Sequence, residues 1–144
     1  MYQQILVPTD GSEMSARAVE TAARLAKLTG AKLEVLSVKE PFPYSAISEM
    51  QPVPPQEFYD AQERLAKERV AAALDAARAR GVQATGASVE ALHPWEAILE
   101  QAKTKNCDLI VMASHGRRGL GALLIGSETQ KVLTHGTIPV LVIR

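Results

Sequence analysis

The feature that most constrains the fold of this chain is the alternation of short apolar runs with helical patterns. The best runs are almost continuously apolar, notably Ile5-Leu6-Val7, Leu33 to Val38 and Leu109 to Ala113. Continuous apolarity is typical of strands covered on both faces, as in parallel sheets. Strands that alternate with helices are joined by right-handed crossovers, which gives a doubly wound sheet. The sequence therefore predicts one α/β domain over residues 1–144.

Nine elements are predicted, in the order β-α-β-α-β-α-β-α-β. Strands are expected at residues 5–8, 33–38, 83–89, 108–113 and 139–143, and helices between residues 12 and 30, at 57–80, from 94 onward and at 127–135. The first helix is expected to bury one face of small apolar residues: Ala16, Val19, Ala23 and Ala26. Placing the crossovers in the usual doubly wound way gives five parallel strands in the order 3-2-1-4-5, with helices on both faces, as in Rossmann-like folds.

The segment from about residue 40 to 56 interrupts this alternation. Five of the eight prolines fall there, and no helical or strand period continues through it. Proline lacks a backbone N–H and fixes φ, so this composition predicts a long, mobile loop. The regular pattern resumes directly after it, which places the loop inside one domain.

Charge and cysteine content exclude several classes of protein. Lysine plus arginine equals aspartate plus glutamate, at 16 each, and aromatic residues make up 4%. Neither a broad basic field nor stacking platforms are available, which argues against nucleic acid as the partner. The single cysteine, Cys107, is expected to be a buried thiol. No signal segment and no apolar stretch of about 20 residues is visible, which predicts a cytoplasmic protein that is not in a membrane.

Unusual chemistry follows two of the predicted strands. The first ends in Pro8-Thr9-Asp10-Gly11-Ser12, and the fourth runs into residues 113–127, which read ASHGRRGLGALLIGS. Ligands of doubly wound sheets bind beyond the carboxyl ends of the strands. The glycines fit neither of two common phosphate fingerprints, because no lysine precedes Ser127 and position 124 is leucine. As neighbours in the order 3-2-1-4-5, the first and fourth strands would bring both segments to one crevice.

The spacing of this glycine-rich segment resembles a more specific pattern. Ala113-x2-Gly116-x9-Gly126-Ser127 is similar to Gly-x2-Gly-x9-Gly-Ser/Thr, the nucleotide-binding motif of the universal stress protein family, with alanine in place of the first glycine. The opening ILVPTDGS, the strand and turn DLIVMASHG and the closing IPVLVIR also resemble that family. The resemblance covers nearly the whole chain and implies a fold like that of the adenine-nucleotide alpha hydrolases.

The resemblance also implies a ligand, which is ATP, ADP or AMP. Gly116, Gly126 and Ser127 would hold phosphates, Asp10 and Ala113 would lie near the ribose, and Pro8, Thr9, Val38 and Met112 near the adenine. No protein metal site is predicted, because His93 and His135 lack carboxylate or cysteine partners at metal-ligand spacing. Any Mg²⁺ is expected to arrive with the nucleotide.

Each of these site residues also has a structural interpretation. Ser127 begins a capping-box pattern that ends at Gln130, so it is expected to cap its helix. Asp10 fits a turn or an N-cap position, and His115 fits a turn. Arg117 is either directed toward the phosphates or solvated. Trp95 is expected to face the core from the third helix.

Glu128 is the least suitable residue for a phosphate site. Two unit charges about 4 Å apart cost about 4 kcal/mol at an effective dielectric constant near 20. A carboxylate here would repel a terminal phosphate, so we expect AMP or ADP to compete well with ATP.

Three classes of function are compatible with these residues. The first is a nucleotide-binding regulatory protein of the stress response, a sensor or adaptor with at most weak ATP hydrolysis. The second is an ATP pyrophosphatase or adenylyltransferase, whose Ser-Gly-Gly-x-Asp-Ser or His-x-Gly-His signatures are missing near the first strand. The third is a protein-interaction module of the same fold that binds no nucleotide.

The last predicted strand bears on assembly. Residues 139–143 carry no charge and are expected at a sheet edge, which is an open template for pairing. The same strand of a second subunit would cover it across a two-fold axis. The sequence therefore predicts a homodimer, an assembly that the resemblance also implies, and it does not identify a downstream protein partner.

Overall fold

The computed structural model describes residues 1–42, 55–116 and 125–144. Its elements are β1 (Gln4–Pro8), α1 (Glu13–Thr29), β2 (Lys32–Lys39), α2 (Gln56–Ala79), β3 (Ala84–Glu90), α3 (Pro94–Thr104), β4 (Leu109–Ala113), α4 (Ser127–His135) and β5 (Val140–Ile143). The nine predicted elements are therefore confirmed in type and order, with bounds that differ by one or a few residues. Most of the predicted loop from about residue 40 to 56 lies outside the described residues.

The five strands form one sheet in the order β3-β2-β1-β4-β5. Every neighbouring pair is parallel. This confirms the predicted doubly wound α/β fold. β1 pairs directly with β4, with Ile5 opposite Leu109 and Leu6 opposite Ile110. The ends of these two strands therefore lie side by side, as a single crevice requires.

Alternate residues of each strand supply two cores, one on each face of the sheet. Ile5 and Val7 of β1 pack on the face that α1 and α2 cover. Leu6 packs with Leu36 on the face that α3 and α4 cover. Both faces are buried, which is why the strands read as continuous apolar runs.

The ends of α1 follow from local chemistry, but one predicted core position is wrong. Ser12 is the N-cap and accepts a hydrogen bond from the backbone N–H of Ser15, and the helix ends at the predicted Gly30. Ala16 is exposed. The buried stripe instead runs through Ser15, Ala18, Val19, Ala22, Ala23 and Ala26. Small residues line both sides of this helix, so the pattern of apolar residues did not show which side faces the sheet.

Candidate functional site

The turn between β1 and α1 presents Asp10 at the carboxyl end of the sheet. Oδ1 of Asp10 accepts the backbone N–H of Ser12 at 2.9 Å. Gly11 between them has φ of 80°, a left-handed conformation that glycine adopts without strain. The predicted turn role of Asp10 is confirmed, whereas the N-cap position belongs to Ser12. This hydrogen bond holds the carboxylate in place at the end of β1.

Thr9 lies on the α1 side of the sheet, whereas the other residues predicted to contact adenine lie on the opposite side. Its hydroxyl lies 3.2 Å from that of Ser15 in α1, and only 8% of the residue is exposed. Val38 and Met112 pack on the opposite face, which α3 and α4 cover. Pro8 projects to that face too, since it follows Leu6 by two residues in the strand. The hydroxyl of Thr9 is therefore engaged within the β1–α1 turn.

Backbone hydrogen bonds join the two ends of the segment between β4 and α4. The Ser114 carbonyl accepts the N–H of Gly126 at 2.6 Å, and the Ser114 N–H donates to Ile143 at 2.7 Å. The buried hydroxyl of Thr129 donates to the carbonyl of Ala113 at 2.9 Å. These bonds bring the start of α4 against the end of β4. Arg117 lies outside the described residues.

In the described part of the chain, no side chain caps the N-terminus of α4. Gly126 is the N-cap residue, and Ser127 is the first residue of the helix. The predicted capping role of Ser127 is therefore wrong, because the bond from Gly126 to Ser114 sets the helix start one residue earlier than the capping box needs. Backbone N–H groups in a first turn need partners outside the helix, and they attract anions. This helix end is suited to a phosphate.

Gly116 brings the β4 end into close contact with the β1 turn. A methyl group built on Gly116 would lie 2.9 Å from Oδ2 of Asp10, closer than a real side-chain carbon approaches. Beside it, Nδ1 of His115 lies 3.1 Å from the hydroxyl of Ser114. The other ring nitrogen, Nε2, is buried and has no hydrogen-bond partner in the described part of the chain. The predicted juxtaposition of Asp10 and Gly116 is present.

Glu128 has a contact that its position in the sequence does not reveal. Its Oε2 accepts the backbone N–H of Trp95, in the first turn of α3, at 2.8 Å. His93 is the N-cap of α3 and provides no side-chain cap. Glu128 therefore supplies from α4 the acceptor that the start of α3 lacks. Trp95 is half-buried against the core of this face, as predicted.

Several residues that shape the site were not singled out from the sequence. Ser12, Ser114 and Thr129 hold its backbone through the bonds described above. Ser12 had a readable signal, because serine after Asp-Gly and before a helical pattern is a common N-cap. The contacts of Ser114 and Thr129 join separate elements, so no local pattern could have predicted them.

Residues 1–42, 55–116 and 125–144 contain neither a cluster of metal ligands nor a helix that could span a membrane. No group of three or more histidine, cysteine, aspartate or glutamate side chains is placed to hold a metal ion there. No helix in these ranges is both long enough and apolar enough to cross a membrane.

Comparison with known proteins identifies the class that this fold and site define. The sequence model of the Universal stress protein family matches residues 1–144. The chain is 34% identical to the universal stress protein YxiE of Bacillus subtilis (strain 168), with each protein covered completely. The chain belongs to the universal stress protein family.

Solved structures agree with this assignment. Hypothetical protein MJ0577 has a TM-score of 0.84 at 27% identity, over 99% of this chain and 96% of that one. A universal stress protein in complex with cAMP has a TM-score of 0.74 at 30% identity, over 99% and 97% of the two chains. Nucleotide binding is thus found within the family.

Proposed function

We propose that this protein binds an adenine nucleotide in the crevice between the carboxyl ends of β1 and β4. The observation that carries the proposal is the meeting of Asp10 with Gly116 beside the uncapped start of α4. A carboxylate that can accept ribose hydroxyls and a helix end that attracts phosphate are then adjacent. The relative in complex with cAMP, at 30% identity, supports an adenine nucleotide as the ligand.

Each part of the nucleotide has a complementary group in this proposal. The ribose hydroxyls bind the carboxylate of Asp10, next to the strand end at Ala113. Phosphate oxygens accept backbone N–H groups at Ser127 and in the first turn of α4, where Gly126 leaves room for close approach. The adenine lies against Pro8, Val38 and Met112, on the side of the sheet that α3 and α4 cover. ATP, ADP and AMP share all these contacts, and Mg²⁺ enters only with the phosphates.

We further propose that the protein acts as a sensor or adaptor in a cytoplasmic stress response. Efficient phosphoryl transfer needs positioned cations, a metal clamp and an oriented nucleophile. The proposed contacts supply backbone N–H groups and a carboxylate, which bind a nucleotide without activating water. We expect any ATP hydrolysis to be slower than about 1 s⁻¹, at the low end of ordinary enzymes.

The homodimer predicted from the sequence is also part of this proposal. β5 lies at one end of the strand order, so one of its edges pairs with no other strand among residues 1–42, 55–116 and 125–144. Leu141 in the middle of β5 is 39% exposed. Antiparallel pairing with β5 of a second subunit would satisfy the open backbone groups and bury this leucine.

Mass spectrometry of small molecules released from the denatured, purified protein tests nucleotide binding. We expect a co-purified adenine nucleotide, and we expect Gly126→Asp to lose it because the new carboxylate caps α4 and repels phosphate. Gly126→Ala measures the effect of the added Cβ without the charge, and we expect it to retain more nucleotide than Gly126→Asp does. A wild-type protein that contains no nucleotide, and whose melting temperature does not change at millimolar AMP or ATP, would instead favour a nucleotide-independent interaction module.

A further inference from the structure

Trp95 joins α3 to both ends of α4. Its backbone N–H donates to Glu128 in the first turn of α4 at 2.8 Å. Its ring stacks on the ring of His135, the last residue of α4, with centroids 4.6 Å apart and planes inclined by 25°. A movement of Glu128 at the start of α4 would therefore act directly on Trp95, which connects α3 and α4.

The hydrogen bond from the Trp95 N–H holds the carboxylate of Glu128 at the start of α3. The start of α3 has no side-chain cap from His93, so its N–H groups depend on acceptors from elsewhere. The positive end of the α3 dipole also attracts the carboxylate. Glu128 follows Ser127 in the first turn of α4, where the proposed function places the phosphates. Glu128 thus brings a negative charge one residue from the proposed phosphate contact at Ser127, and the bond to Trp95 restrains that charge.

We propose that Glu128 makes this site respond to the number of phosphates on the nucleotide. This inference rests on the proposed function. A nucleotide monophosphate binds the first turn of α4 while Glu128 stays on Trp95. Additional phosphates bring more negative charge toward the fixed carboxylate, so a triphosphate binds only when Glu128 leaves Trp95. Binding of ATP is then coupled to release of the α3 start, and binding of AMP is not.

Two properties follow from this coupling. AMP binds more tightly than ATP, because only ATP has to displace an existing hydrogen bond. The two ligands also leave the protein in different states, which differ at the start of α3. Trp95 is the single tryptophan of the chain, so its fluorescence reports that difference directly.

Calorimetric titration and tryptophan fluorescence with AMP and ATP test the proposal in the full-length protein. EDTA is present throughout, so that no metal ion neutralises the phosphates. For the wild type we expect AMP to bind at least tenfold more tightly than ATP, and only ATP to change the Trp95 emission. Glu128→Gln keeps an oxygen acceptor for Trp95 but removes the charge. In this variant we expect the difference in affinity to fall below threefold and the emission change with ATP to disappear.

Glu96→Gln is the matched control, because Glu96 is an exposed acid in the first turn of α3. It should keep the wild-type preference for AMP. Equal affinities in the wild type, an unchanged preference in Glu128→Gln, or the same emission change with both ligands would each overturn the proposal. If the wild type binds AMP but binds ATP equally well, only this inference is rejected and the proposed function stands. If neither AMP nor ATP binds, both this inference and the proposed function are rejected.

Discussion

Glu34 is a carboxylate buried in the middle of β2, with 1% of the residue exposed. It accepts hydrogen bonds from the hydroxyl of Thr85 and from the side-chain amide of Gln101, the latter at 2.9 Å. Within the described ranges it forms no ion pair with lysine or arginine. Burial of a charge costs free energy unless an opposite charge compensates it. The two donors satisfy the oxygens but leave the charge unpaired.

We therefore expect Glu34→Gln to raise the free energy of unfolding by about 1 kcal/mol at neutral pH, because it keeps the shape and removes the charge, while the Thr85 hydroxyl turns to accept from the new amide NH2. Glu34→Ala should lower it by about 2–4 kcal/mol, since it leaves a cavity and two donors without an acceptor. Urea unfolding of the three proteins measures both changes. A glutamine variant less stable than the wild type by more than about 1 kcal/mol would show that the charge itself stabilises the fold.

Cys107 is the second buried titratable group on this face of the sheet. Burial raises the pKa of its thiol from 9.0 to about 11, and the negative charges of Glu34 and Asp108 act in the same direction. At pH 8 the thiolate population is then about a hundredfold lower than in an unfolded chain. We expect alkylation of the native protein at pH 8 to be slower by at least this factor, and guanidinium unfolding to restore it.

The raised pKa of Cys107 also makes the stability of the protein depend on pH. Between pH 9 and 11 the unfolded chain loses the thiol proton while the folded chain keeps it, so stability falls as the pH rises through this window. Cys107→Ala should have a smaller loss of stability over the same window. Fast alkylation in the native state, or an unchanged pH profile in the variant, would contradict the assigned pKa.

α2 packs on β3 through a position that tolerates no side chain. A methyl group built on Gly86 of β3 would lie 2.5 Å from Cγ1 of Val70 in α2. Valine in a helix has essentially one preferred rotamer, so it cannot turn away from such a contact. α2 can pack this closely on β3 because Gly86 has no side chain.

Gly86→Ala should lower the free energy of unfolding by about 1–3 kcal/mol through overpacking. Val70→Ala provides the compensating change, because it removes the methyl groups that the new Cβ would meet. We expect the double variant to be more stable than the sum of the two single costs implies, by at least about 0.5 kcal/mol in a double-mutant cycle of urea unfolding. Additive costs would show that the two residues do not interact.

Elements that depend on local pattern were predictable from the sequence. Apolar runs predicted the strands, and Gly30 and Pro94 marked a helix end and a helix start. Contacts between elements were not predictable in this way. Ser127 matched a local capping pattern, yet the bond from Gly126 to Ser114 decided the helix start. The capping of α3 by Glu128 joins residues 33 positions apart, so no local signal carries it.

The topology of the sheet determines the positions of both the candidate site and the proposed dimer interface. The pairing of β1 with β4 places Asp10 beside Gly116, while β3 and β5 form the two edges. This strand order follows from the alternation of strands and helices and was predicted. The atomic distances in the crevice depend on tertiary contacts, and the sequence indicated only which residues would meet there.

The proposed dimer predicts the effect of charge on the β5 edge. Leu141→Lys places a charge in the middle of this short strand and should give a folded monomer, because charged side chains block edge pairing. Leu28→Lys is the control, since Leu28 is 84% exposed and belongs to α1 and not to β5. Light scattering at micromolar concentration should give a dimeric mass for the wild type and for the control. A monomeric wild type would contradict the proposed assembly.

Binding of an adenine nucleotide where β1 and β4 end is the prediction on which the proposed function depends. It is tested most directly by a titration of the isotope-labelled protein with AMP, followed by amide NMR shifts. We predict saturable shifts at Asp10, Gly116 and Ser127, with little change at remote amides such as Gly81. A separate cleft of about 590 Å³ lies between the C-terminal ends of α3 and α4 and is lined in part by Leu99, Cys107 and Ile138. Shifts confined to that cleft, or no shifts at millimolar AMP, would contradict the account.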